Sequence, residues 1–154
     1  MEIEKSAYRP VRAYLAEYLV AAWRQAQGGN PTLLGGNQRG HDVQDGAMLI
    51  DAKVLIPTSA SERRAWPGHD WKVTRDRHKL FDPVETTHIA LVALPDDMSF
   101  ETTASSGRLS VTTSCTDAAI YLVLTEELND LLDPGGSWRV LPLETSWLER
   151  HRVQ

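Results

Sequence analysis

The chain has 154 residues, 42% of them hydrophobic and 24% charged, with a net charge of −5 and a single cysteine, Cys115. That length carries one domain with a real core and is short for two, so a single unit over residues 1–154 is expected. A lone cysteine excludes an internal disulfide and any cysteine-cluster zinc site. No apolar run nears the roughly 18 residues of a membrane span, and MEIEKSAYRP lacks a signal-peptide pattern, so a cytoplasmic protein is expected.

In chain order, Tyr8 to Gln27 predicts a helix. Val11, Tyr14, Leu15, Tyr18, Leu19, Ala22 and Trp23 recur at helical spacing, and Gly28-Gly29-Asn30-Pro31 stops the pattern. Arg39 to Ile56 reads as a hairpin. Residues 57–85 read as a long polar connection, the kind of loop that carries function. Thr87 to Leu94, THIALVAL between prolines, predicts a buried strand, and Arg108 to Thr113 alternates as another strand would. Thr116 to Leu132 predicts a second helix, with Ile120, Leu124, Leu128 and Leu131 on one face and Pro134-Gly135-Gly136 ending it; its IYLVLT also suits a strand. Trp138 to Leu143 predicts a last strand, followed by a short terminal helix. The order helix, hairpin, strand, helix, strand implies one mixed α/β domain.

The charge is unevenly spread. From Arg63 to Lys79 six cations (Arg63, Arg64, Lys72, Arg75, Arg77 and Lys79) face only Asp70 and Asp76, so the segment is +4 and the rest of the chain −9. Trp66, Trp71, His69 and His78 are interleaved. Such a segment reads either as a nucleic-acid contact or as a solvated loop whose tryptophans pin it to the body.

The hairpin carries the chemistry. Asp45-Gly46 between two apolar-rich runs predicts a two-residue turn, which pairs Gln44 with Ala47, Val43 with Met48, Asp42 with Leu49 and His41 with Ile50. Alternation then places Leu49, Asp51, Lys53 and Leu55 on one face and the apolar Met48, Ile50, Ala52, Val54 and Ile56 on the other. Asp42 points to the face of Asp51 as its diagonal neighbour. Two adjacent carboxylates repel unless a proton or a cation joins them. Oxygen ligands of this kind suit Mg2+ or Mn2+, and a lysine beside them would act on an attacking water or on a docked phosphate. The plainer reading is a cross-strand Asp–Lys ion pair on a solvated face.

Gly40-His41-Asp42 followed by Leu49-Ile50-Asp51-Ala52-Lys53-Val54 resembles the PD-(D/E)XK nuclease superfamily, the restriction-endonuclease-like fold. Asp42 matches the family's first acid, and Asp51 and Lys53 match its D/E-x-K, with eight residues between the acids. His41 stands where the family often has proline. The resemblance implies an αβββαβ core and a Mg2+-dependent DNA endonuclease, of the restriction or phage-defence kind. It further implies metal ligation by Asp42, Asp51 and the Ala52 carbonyl, and catalysis by Lys53. Many members add a glutamate from the first helix, for which Glu17 is the candidate. A homodimer or a partner subunit is the expected assembly for a small domain that cuts two strands. The competing class is a non-catalytic module of the same fold, a view that the acidity of the chain motivates.

Other signals point nowhere. The five histidines show no paired metal-ligand spacing, Cys115 reads as a small buried hydrophobe, and Gly28-Gly29 and Gly35-Gly36 lack the context of a phosphate loop.

Overall fold

The computed structural model describes residues 5–34, 40–74, 80–95, 99–114, 117–131 and 140–154. In chain order these form α1 (Lys5–Ala26), β1 (Thr32–Leu33), β2 (Val43–Asp45), β3 (Met48–Val54), β4 (Ile56–Pro57), α2 (Ala60–Ala65) and β5 (Trp71–Thr74). They continue with β6 (His88–Ala93), β7 (Ser99–Ser105), β8 (Arg108–Ser114), β9 (Ala119–Leu124), α3 (Thr125–Asp130), β10 (Val140–Leu143) and α4 (Thr145–Glu149). The main sheet has the order β1-β2-β3-β6-β9. Only β3 and β6 run parallel, so the sheet is mixed. A second small sheet, β10-β5-β4, and the separate β7–β8 hairpin complete the strands.

Both faces of the main sheet are covered, which is why β3 and β6 are so apolar. On one face Ile50, Ala52, Ala90, Val92 and Ile120 pack against Ala16, Val20 and Trp23 of α1. On the other, Ile89, Leu91, Tyr121 and Val123 pack with Leu55, Val73, Leu128, Leu141, Leu143 and Leu148. Full burial of such an aliphatic side chain contributes about 1.5–3 kcal/mol. Beyond α4 the chain returns to β9, where Val153 donates to the Ile120 carbonyl and Tyr121 bridges Arg152. That return pairs the free edge of β9.

Four expectations need correction. The hairpin turn is centred on Gly46-Ala47, not Asp45-Gly46, so Val43 pairs with Ile50 and Asp45 with Met48. Gly46 takes φ +58 while Ala47 keeps a negative φ, the pattern of a type II′ turn with glycine in first place. The register thus moves by two residues, which leaves every side chain on its predicted face. Residues 57–85 are not one open connection, since they contain the end of β4, α2 and β5. The predicted helix from Thr116 is strand β9 over Ala119–Leu124, paired with β6 along its length, and helix begins only at Thr125. Finally, the stripe on α1 is rotated: Tyr14 and Tyr18 are 55% and 60% exposed, and the buried arc is Ala16, Val20 and Trp23. Cys115, Trp138 and the Pro134-Gly135-Gly136 stop lie outside the described residues.

No helix among the described residues is long and apolar enough to cross a membrane.

Candidate active site

The pairing of β2 with β3 stops at Val43–Ile50, while β3 runs on to Val54. Past that point no strand among the described residues pairs with the edge of β3, and the site is built there. Chain entry to β2 is held by the segment before β6. Thr86 Oγ1 donates to the Gly40 carbonyl, and His41 Nδ1 lies 2.8 Å from the Glu85 carbonyl. Gly40 has φ +95, and a Cβ there would lie 2.6 Å from the Cβ of Glu85, so only glycine fits this close approach. Asp42 follows. Its N–H donates to the Ile50 carbonyl and its carboxylate accepts the Ala52 N–H at 2.9 Å, so a side chain replaces the next rung of the ladder.

Asp42, one residue before β2, thereby comes to lie beside Asp51 at the strand edge. Their carboxyls come within hydrogen-bonding reach. Lys53, two residues along the same face, donates to Asp51 Oδ1 at 2.8 Å. Asp51 is 8% exposed, one of few buried charged or polar residues. Burial pushes its carboxyl well above the usual range; Lys53 opposes this and Asp42 adds to it. The Ala52 carbonyl points to that edge, on the same side as its N–H.

Glu17 reaches the site from α1. Its carboxyl is also raised, to about 7, first by burial and then by the neighbouring Asp42, with Lys53 opposing. Glu17, Asp42, Ala52 and Lys53 line one cleft of about 390 Å³, whose remaining wall includes Arg9, Arg12, Val54, Ile56, Val73 and Thr74. Of the four ionisable residues named from the sequence, Glu17, Asp42 and Lys53 line the cleft, while Asp51 lies buried behind it in contact with Lys53 and Asp42; Arg9 and Arg12 were missed. A signal existed for Arg9, because Arg9, Ala13 and Glu17 recur at intervals of four on one helical row.

The plainer view of Asp51 and Lys53 as an ion pair on a solvated face does not describe this site, since Asp51 is buried and Leu55 is 1% exposed. Whether the cluster suits a cation can be read from its donors. Two carboxyls lie together in a poorly solvated place beside the Ala52 carbonyl, all oxygen groups of the type that Mg2+ or Mn2+ takes. Among the described residues no group of three or more His, Cys, Asp or Glu side chains is arranged to hold a metal ion, so a cation here would rest on two carboxylates, a carbonyl and water.

The basic segment is only partly described. Arg63 and Arg64 lie exposed on α2, which Ser59 and Glu62 cap reciprocally. Lys72 is committed to Glu62, at 2.7 and 2.9 Å, and this hydrogen bonding holds the Glu62 carboxyl down at about 2. Trp71 packs against the core, and Trp66 ends α2 half-buried. Arg75, Arg77 and Lys79 lie outside the described residues. No family model, curated protein or solved structure matches the chain.

Proposed function

We propose that the chain is a metal-dependent nuclease that hydrolyses phosphodiester bonds in DNA, of the PD-(D/E)XK kind, with Asp42, Asp51, Lys53 and Glu17 as its working groups. The observation that carries the reading is the neighbouring pair Asp42–Asp51 at the edge of β3, with Lys53 bonded to Asp51. Asp42, Asp51 and the Ala52 carbonyl would hold Mg2+ or Mn2+, which supplies Lewis-acid polarisation of a phosphoryl oxygen. Lys53 stabilises negative charge developing on the phosphate or orients the attacking water, and its ammonium must leave Asp51 in part to do so. Glu17, with its carboxyl near neutrality, is placed to exchange a proton with that water.

The α1 helix and the hairpin fit an αβββαβ core. Between β6 and β9, however, the chain forms the β7–β8 hairpin where that core has its second helix. Arg63, Arg64, Arg75, Arg77 and Lys79 are proposed DNA contacts, while Lys72 is held by Glu62, with a homodimer or partner subunit supplying further surface. The test is incubation of plasmid with the protein and Mg2+ or Mn2+. Cleavage is expected from wild type and loss of at least a hundredfold from Lys53→Ala and Asp51→Ala. Undiminished cleavage by either variant would refute the assignment.

A second reading, a nuclease-like module that binds without cutting, is favoured by the closed Lys53–Asp51 pair and the net charge of −5. Under it, the melting temperature does not move with millimolar Mn2+; under the first, it rises with the logarithm of metal concentration.

A further inference from the structure

We propose that Arg9 forms a subsite for a backbone phosphate flanking the one at Asp42, Asp51 and Lys53, with Arg12 as a fixed positive charge behind it. The inference deepens the nuclease reading and rests on it for the identity of the ligand. Arg9 lines the same cleft as the acidic cluster, is exposed, and makes no ion pair or hydrogen bond among the described residues. Arg12 differs. Its guanidinium is spent on the carbonyls of Pro95 at 3.1 Å and Leu94 at 3.3 Å, which locks the start of α1 against the end of β6. Its charge stays in the cleft wall, but its donors are used.

Polarity along the cleft supports the assignment. Glu17 and Asp42 stand at one end, and Arg9 stands eight residues upstream of Glu17, about 12 Å along the helix axis. A polyanion laid in the cleft would put the phosphate under attack at the cation-ready acidic end and a neighbouring one against Arg9. The lining also includes the apolar Ala13, Ala52 and Val54, surfaces that suit a sugar rather than a charge. A planar guanidinium with no partner among the described residues, in a cleft lined by Arg9, Arg12 and Lys53 against Glu17 and Asp42, suits an anion, and arginine grips phosphate oxygens in pairs. In a chain of net charge −5, a local cationic mouth also reverses the repulsion that DNA would otherwise meet.

The experiment compares wild type, Arg9→Gln, Arg9→Lys and Lys53→Ala. Binding of a fluorescent duplex oligonucleotide is followed by anisotropy in Ca2+ across a salt series, and plasmid cleavage is followed in Mn2+. Arg9→Gln should bind about five- to tenfold more weakly, with a logarithmic salt slope shallower by about 0.9, one lost phosphate contact. Its KM should rise while kcat is retained, Arg9→Lys should recover most of the affinity, and melting temperature should not change. Unaltered affinity and slope in Arg9→Gln, with cleavage still abolished by Lys53→Ala, would overturn the subsite and leave the nuclease reading standing. No cleavage by wild type, with binding that still depends on Arg9, would overturn the nuclease reading and keep the subsite as that of a binding module.

Discussion

Asp51 is the residue on which the proposed chemistry turns. Its carboxyl has an ordinary value of 3.8 and is raised to about 7 in the fold, by burial above all. The folded protein therefore holds a proton there that the unfolded chain releases. Stability in metal-free buffer should fall as pH climbs from about 4 to about 7 and then level off, because folding binds more protons within that window. Glu17, raised to about 7 for the same first reason, adds to the slope, more weakly because solvent screens it. Urea midpoints measured across that range with a chelator present check this. Asp51→Asn should flatten most of the slope and stabilise the protein at pH 8, while removing cleavage. A midpoint that rises with pH through the window, or an unchanged slope in the variant, would contradict the assignment.

At the scale of elements, the site depends on where β2 begins. The contacts of Gly40 and His41 with Glu85 and Thr86 aim the chain so that Asp42 meets Ala52 and Asp51. Gly40→Ala forces a side chain into φ +95 and into the Cβ of Glu85, so it should cost about 2 kcal/mol or more. Cleavage should drop further than the lost stability explains, a difference that assays well below the melting temperature will show. The hairpin was the most legible part of the sequence, because alternation alone assigns Asp42, Asp51 and Lys53 to one face. The turn was misplaced by one residue and the register by two, an even shift that alternation survives. Strand β9 was read first as helix, with a strand as the alternative for IYLVLT, because Ile120, Leu124 and Leu128 keep helical spacing while Ile120 to Leu124 is a continuous apolar run, and only pairing with β6 decides between the two. The stripe of α1 failed for a similar reason: Tyr14 and Tyr18 are apolar enough to join it, yet the sheet selects the arc of Ala16, Val20 and Trp23. Glu17 was readable as a residue at the edge of the predicted stripe, beside Tyr14 and Ala21; its approach to Asp42 was not, since it depends on how α1 crosses β3.

For the whole molecule, the account needs an acidic protein to hold a polyanion through a few local cations. Arg63 and Arg64, exposed on α2, test how far that surface extends. Reversing both to glutamate should leave stability within about 0.5 kcal/mol, since α2 buries no residue. It should also make the salt slope for duplex DNA shallower by about 1.8, two phosphate contacts, if α2 takes part. An unchanged slope would confine the DNA path to the cleft. In the proposed nuclease a divalent cation takes the place of the proton that burial keeps on Asp51. Calorimetric titration of Mn2+ near pH 7, repeated in buffers of different ionisation enthalpy, measures it directly. The account predicts one site per chain whose occupation releases protons, and whose binding disappears in Asp42→Asn and in Asp51→Asn. Absence of binding at millimolar Mn2+, or binding that survives both substitutions, would contradict it.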